Sequence, residues 1–171
     1  NSQQGYEGSN AADKEGFVEY VGLSELMFFT KEGSTPVLPD PEPEEPEEPA
    51  IRTEVIVDNT DSSGVEISGS WAASSDSSKR YGSNYLHNGQ AASEDLWVRF
   101  TPVITTNTTY DVSLVWNGDN TRGSAVPVEI IHAEGVATNY VDMTDTSTGW
   151  HKIGNWPFAV GTAGSVRILT I

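Results

Sequence analysis

The feature that most constrains the fold of this chain is a series of short apolar runs, each separated from the next by turn-forming residues. Along these runs apolar and polar side chains tend to alternate, which is the period of a β-strand with one buried face. Examples are TYDVSLVW at 109–116, PVEIIHA at 127–133 and GSVRILTI at 164–171. No segment keeps a helical period convincingly over ten residues. We therefore predict an all-β chain that folds as a β-sandwich of the jelly-roll type.

A shift in composition divides the chain. Residues 36–50, PVLPDPEPEEPEEPA, interleave proline with acidic residues, which favours an extended, solvated tether. The preceding residues 1–35 are too few for a core of their own and contain one strand candidate, VEYVGLSELMFFT. We expect residues 1–35 to be the end of a preceding β domain, 36–50 to be a linker, and 51–171 to be the sandwich.

The charge of the chain restricts its partners. The formal net charge of −16 at pH 7 repels nucleic-acid backbones and anionic lipid head groups. No run approaches the ~20 apolar residues of a membrane helix. We therefore expect no nucleic-acid partner and no membrane insertion.

The absence of cysteine excludes disulfides, thiol catalysis and thiolate zinc sites.

Several stretches occur in an order that resembles the C-terminal domain of golvesin and xanthan lyase, a β-sandwich module of secreted bacterial proteins. They are VIVDNTD at 55–61, LWVRFTP at 96–102, TYDVSLVW at 109–116, PVEIIHAEG at 127–135 and GWHKIGNWPFAVGTAGSVRI at 149–168. Members of this family continue into a further strand, so we expect the sandwich to lack its last strand here. The phrase YVGLSELMFF in the first segment is similar to the end of a discoidin-like (F5/8 type C) domain.

This resemblance implies a non-catalytic, polysaccharide-binding accessory module of a larger bacterial protein, located outside the cell or at its surface. Its implied partners are a polysaccharide, in particular an acidic one, and other domains of the same chain. Catalysis would belong to the parent protein, as a polysaccharide lyase, hydrolase or oxidoreductase. The alternative is a structural, adhesion or domain-packing module that binds no sugar.

The residues themselves offer little catalytic chemistry. There is no nucleophile motif such as G-x-S-x-G. His132 and Asp142 would suit a base and its orienting carboxylate. A histidine between apolar neighbours on a strand is more often structural, and we favour that interpretation.

Sugar binding by a β-sandwich needs aromatic faces for the pyranose rings and polar groups for the hydroxyls. The candidates from the polar loop regions are Tyr81, Tyr85, His87, Trp116 and Arg122. Arg122 would suit a carboxylated sugar. As alternatives, the tyrosines can bridge strands through their hydroxyls, and Trp116 is in phase with the apolar residues of its strand. The residues predicted to lie in the core are Trp97, Trp150, Trp156 and Phe158.

A short acidic turn is a candidate metal site. Asp58, Asn59 and Asp61 carry oxygen ligands of the type that calcium prefers. Asp119 and Asn120 form a second, smaller cluster, and neither cluster fits the EF-hand pattern. The alternative is that both are ordinary Asx turns. Calcium is thus a candidate cofactor, and we expect no other.

Overall fold

The computed structural model describes residues 22–30, 53–89, 91, 93 and 95–170. They form eleven strands, namely β1 (Gly22–Thr30), β2 (Glu54–Asp58), β3 (Val65–Ser68), β4 (Ala72–Ser74), β5 (Tyr85–His87), β6 (Trp97–Phe100), β7 (Thr108–Trp116), β8 (Val126–His132), β9 (Gly135–Val141), β10 (His151–Phe158) and β11 (Ser165–Leu169). Within this part of the chain there is no helix, and so none that could cross a membrane.

The strands form two antiparallel sheets whose inner faces share one core. The six-stranded sheet has the order β10-β7-β1-β5-β4. Strand β2 pairs with β1 on the same side as β5, but with residues further along β1. The five-stranded sheet has the order β3-β6-β11-β8-β9. The predicted all-β class and the β-sandwich are confirmed.

The core is built from the inward residues of both sheets. In the six-stranded sheet an aromatic cluster joins three strands: the Phe28 ring centroid lies 4.9 Å from that of Phe158 and 6.2 Å from that of Tyr110, each in an edge-to-face arrangement. The Tyr110 hydroxyl donates to the Thr106 carbonyl at 3.1 Å, which satisfies its polar group. The prediction that Phe158 is a core residue is confirmed.

Trp97 lies on the outer face of its sheet, contrary to the prediction that it is a core residue. Val98 and Phe100 point inward, and the two-residue period of the strand therefore turns Trp97 and Arg99 outward. The guanidinium carbons of Arg99 and Arg167 lie 4.8 and 5.7 Å from the Trp97 ring centroid. Trp156 is partly buried and packs against the core from β10.

Strand β1 lies inside the six-stranded sheet, between β7 on one side and β2 and β5 on the other. Its core-facing residues Leu23, Leu26 and Phe28 are fully buried. We expected residues 1–35 to end a separate domain. The described part of that segment, β1, instead packs in the sandwich, because its apolar face is buried there. Residues 1–21 and the predicted linker 36–50 lie outside the described residues. A further strand after β11 stays a prediction.

Candidate functional site

Three loops meet at one end of the sandwich. They are residues 75–84, 117–125 and 142–150, and we call them the three-loop surface. Ser77 Oγ donates to Asn117 Oδ1 at 2.6 Å, and Lys79 Nζ donates to the Gly118 carbonyl at 3.0 Å. The Met143 amide donates to the Gly123 carbonyl at 2.9 Å. Each loop is thus hydrogen-bonded to a neighbour.

The contact between two of these loops depends on a glycine. A Cβ atom on Gly118 would lie 1.7 Å from the Asp145 carbonyl oxygen. A residue with a side chain would therefore push loop 142–150 away from loop 117–125.

An aromatic pair lies on the three-loop surface. Tyr81 is 42% exposed, and its ring centroid lies 5.4 Å from that of Trp150 with an interplanar angle of 54°. Trp150 is partly exposed and precedes β10 rather than lying within it. It was predicted to be a core residue, and that prediction was wrong. The sequence signal that could have placed it correctly is the turn-forming run DTSTG directly before it.

Trp116 is buried beneath the three-loop surface and contacts one of its loops. Its ring is 5% exposed and stacks on His151, with centroids 3.9 Å apart and an interplanar angle of 21°. Its indole Nε1 donates to the Asp145 carbonyl at 3.3 Å, and His151 Nδ1 lies 3.9 Å from Asp145 Oδ2. Trp116 therefore holds loop 142–150 and presents no open ring face, which fits the alternative that it packs with the apolar residues of its strand and does not fit the predicted sugar contact.

Arg122 is also used within the fold. It is a buried residue whose Nε donates to the Asn117 carbonyl at 3.1 Å. Its guanidinium lies against Gly22 of β1, where a Cβ atom would come within 3.0 Å of the Arg122 Cζ. Arg122 thus joins loop 117–125 to the start of β1, and this buried placement does not suit the contact with a carboxylated sugar that was predicted for it.

Tyr85 and His87 are neighbours on β5. Tyr85 is 5% exposed, and the two ring centroids lie 6.0 Å apart. Burial, and then the positive charge of Arg122, lower the pKa of His87 below its ordinary value. Of the five predicted sugar-binding residues, the structure thus leaves only Tyr81 with a well-exposed ring.

The charges near Tyr81 are of both signs. Lys79 and Arg80 precede it, and Arg80 donates to the carbonyls of Ser75, Ser77 and Ser83. Hydrogen bonds from the Thr121 hydroxyl and amide lower the pKa of Asp119, and hydrogen bonds from Ser147 lower that of Asp145. The surface therefore carries ionised carboxylates beside two cations that are fixed by backbone carbonyls.

The predicted metal ligands form turns. Asp58 Oδ1 accepts hydrogen bonds from the Thr60 amide and hydroxyl at 2.6 and 2.5 Å, and Asp61 Oδ2 accepts from the Asp58 amide at 2.9 Å. Asn59 Nδ2 donates to Asn84 Oδ1 at 2.6 Å. Among the described residues no group of three or more His, Cys, Asp or Glu side chains could hold a metal ion. The geometry thus fits the Asx-turn alternative, and calcium binding stays a prediction.

His132 and Asp142 do not meet. The register of the β8–β9 hairpin pairs His132 with Gly135 and Val126 with Val141, so Asp142 follows the opposite end of the hairpin. Seven strand residues span roughly 20 Å. The structural interpretation of His132 agrees with this placement, since its Nδ1 accepts a hydrogen bond from the Glu134 amide at 3.3 Å.

Two hollows in the described part of the chain lie away from the three-loop surface. One of about 430 Å³ lies between β2, residues 61–64 and residues 101–103, and another of about 470 Å³ lies between residues 107–109 and 157–159. Neither is lined by Tyr81 or Trp150.

Comparison with known proteins places the chain in a family. The Golvesin C-terminal domain matches residues 55–170. A xanthan lyase from Bacillus sp. (strain GL1) is 41% identical over 127 residues, which are 74% of this chain and 13% of the lyase. The solved structure of a Paenibacillus xanthan lyase matches with a TM-score of 0.66 and 34% identity, over 68% of this chain and 11% of that one.

The extent of these matches matters for function. The chain spans only about an eighth of the lyase sequence that it matches, so it corresponds to an accessory region of that longer protein. The Golvesin C-terminal domain is a non-catalytic domain, which agrees with the prediction that the chain itself is not an enzyme. By the match over residues 55–170, the chain belongs to the Golvesin C-terminal domain family.

Proposed function

We propose that this chain is a polysaccharide-binding accessory module of a larger secreted bacterial protein, acting outside the cell or at its surface. The observation that carries the proposal is the aromatic pair of Tyr81 and Trp150 on the three-loop surface. Aromatic rings that are half in water offer an apolar face to the C–H groups of a pyranose, and the tyrosine hydroxyl can bond to a sugar hydroxyl.

The loops that present the pair are ordered before any ligand arrives. The bonds from Ser77 to Asn117 and from Lys79 to Gly118 fix loop 75–84, and the Trp116–His151 stack fixes the start of β10. Binding then costs little further ordering of side chains or loops, so more of the contact free energy is available for affinity.

An acidic polymer is the favoured ligand class. The net charge of −16 opposes its approach, but six of the acidic residues lie in segment 36–50. Lys79 and Arg80 place two positive charges directly before Tyr81 in the sequence. Carboxylated sugars would be drawn to these cations, and the effect would weaken as salt is added. The matched relatives are named for lyases of xanthan, so xanthan is the first polymer to test.

The test is affinity gel electrophoresis of the chain through gels that contain xanthan, with a neutral polysaccharide in parallel gels. We expect retardation by xanthan, reduced at least tenfold in apparent affinity by Tyr81→Ala and by Trp150→Ala. Tyr140→Ala is the matched control, because Tyr140 is a 63% exposed tyrosine on β9, outside the three-loop surface. Its retardation should equal that of the parent chain.

Near-ultraviolet circular dichroism of each variant would show whether the fold is intact. Absence of retardation by a broad set of polysaccharides would contradict the proposal and favour the domain-packing alternative. Retention that Tyr81→Ala and Trp150→Ala leave unchanged would move the binding surface elsewhere on the sandwich.

A further inference from the structure

The way β1 joins the rest of the molecule is unusual for two paired antiparallel strands. Phe29 of β1 is paired with Glu54 of β2, so the two strand ends are adjacent. The chain between Thr30 and Glu54 nevertheless has 23 residues, whereas hairpin loops commonly have two to five. By loop-closure scaling, a 23-residue connection lowers the effective concentration of β1 at its own site roughly tenfold relative to a four-residue loop.

The sequence of this connection adds to the effect. Segment 36–50 contains six prolines and six acidic residues, a composition that favours extension and mutual repulsion. A connection with this preference would oppose the meeting of the two strand ends that the register requires.

The site that receives β1 contacts the strand on both of its edges and through the core. Both edges of β1 are hydrogen-bonded, to β7 over residues 23–30 and to β2 and β5 on the other side. Without β1, the sheet would have two open edges and the aromatic cluster would lose Phe28. The site must therefore be filled, and open edges of this kind readily accept a matching strand from another chain.

The attachment of β1 has a weak point at its seam with β2. Glu25 is fully buried, and its carboxyl group interacts with that of Asp58 on β2. Its cross-strand partner is Asp58, another carboxylate. Two carboxyl groups that meet where one of them is fully buried cannot both ionise without cost, which weakens this seam and favours transient release of β1.

We propose that β1 is exchanged between copies of this chain, so that the strand Gly22–Thr30 of one copy fills the site between β7 and β2 of another. The exchanged form makes the same strand contacts as the closed form, so its cost is mainly the entropy of association, and it is favoured at high local concentration. This inference does not depend on sugar binding. It assigns the segment between β1 and β2 a role in linking copies.

The test uses the absence of native cysteine. Met27 and Ser113 are directly paired across β1 and β7. One full-length chain carries Met27→Cys and a mass tag, and the other carries Ser113→Cys. The two are unfolded, refolded together at increasing concentration and oxidised. A disulfide between the two chains forms in quantity only when β1 of one lies beside β7 of the other.

The control pair is Glu129→Cys with Thr138→Cys, which face each other across β8 and β9 and are joined by a short turn. We expect the β1–β7 pair to give at least ten times more interchain disulfide than the control, with a yield that rises with concentration. If Met27→Cys prevents folding, Phe29→Cys with Asp111→Cys tests the same seam. An interchain yield no higher than the control at millimolar concentration would show that β1 stays in its own chain and overturn the proposal.

Discussion

The β1–β2 and β8–β9 pairs are both antiparallel, but they are held in opposite ways. Two residues, Ala133 and Glu134, connect β8 to β9, whereas 23 residues connect β1 to β2. Most residues of β9 are exposed, since it is an edge strand, whereas β1 is buried within its sheet. The position of β9 is thus fixed by its turn, and that of β1 by what it buries.

This difference shows where the stability of the sandwich lies. A strand held by a tight turn needs few tertiary contacts to stay in register. A strand that arrives through a long connection must be held by core packing and by hydrogen bonds on both edges. Changes to β1 should therefore cost much more than comparable changes to β9.

The largest expected effect comes from removing one ring from β1. Phe28→Ala should lower the free energy of unfolding by about 3–5 kcal/mol, because it empties the position between Tyr110 and Phe158. Tyr140→Ala on β9 should cost less than about 1 kcal/mol, because that ring is 63% exposed. Denaturant unfolding followed by fluorescence would measure both. Equal losses would mean that β1 is not part of the core in solution.

The next effect concerns pH and the seam of β1 with β2. Burial, then a side-chain hydrogen bond with Asp58, and then the negative charges of Asp58 and Asp61 raise the pKa of Glu25 from 4.5 to about 9. The fold therefore favours the protonated acid. Its stabilising contribution is complete below pH 4.5 and is lost as pH rises from 4.5 towards 9, with a ceiling of about 1.4 kcal/mol per pH unit for one proton.

Glu25→Gln isolates this contribution, because the amide resembles the protonated acid and does not titrate. Between pH 5 and pH 8 the parent chain should lose at least about 2 kcal/mol of unfolding free energy relative to Glu25→Gln. Unfolding curves of both proteins across this range would measure the difference. Parallel pH dependence in the two would show that the Glu25 carboxyl is solvated and that the seam is not under electrostatic strain.

Much of the fold follows from local patterns in the sequence. Tyr110, Val112 and Leu114 alternate in β7, and all three are fully buried in the core. The same logic, applied to WVRF, would have turned Trp97 outward, because Val98 and Phe100 set the phase of β6. The place of β1 could not be derived in this way, since an apolar strand does not specify which sheet covers it.

The candidate site was harder to predict, since exposure depends on contacts between distant segments. Tyr81 lies in a loop rich in serine and glycine, and its exposure follows from that context. Trp116 is covered by His151, which is 35 residues further along the chain, and Arg122 by the start of β1. No local pattern indicates either contact. The burial of Glu25 is equally hidden, because a glutamate in a strand is normally taken to face water.

The smallest expected effect concerns calcium. It tests whether a bound cation, rather than a proton on Glu25, offsets the negative charge at the β1–β2 seam. Asp58 and Asp61 already accept hydrogen bonds within their turn, so millimolar calcium should move the thermal midpoint by less than about 1 °C relative to excess chelator. A genuine site with a micromolar dissociation constant would add about 4 kcal/mol at that concentration, a shift of several degrees. If such a shift were seen and Asp61→Asn removed it, calcium would be the partner of this turn. The β1–β2 seam would then be held by metal, and the pH dependence expected from Glu25 would disappear in its presence.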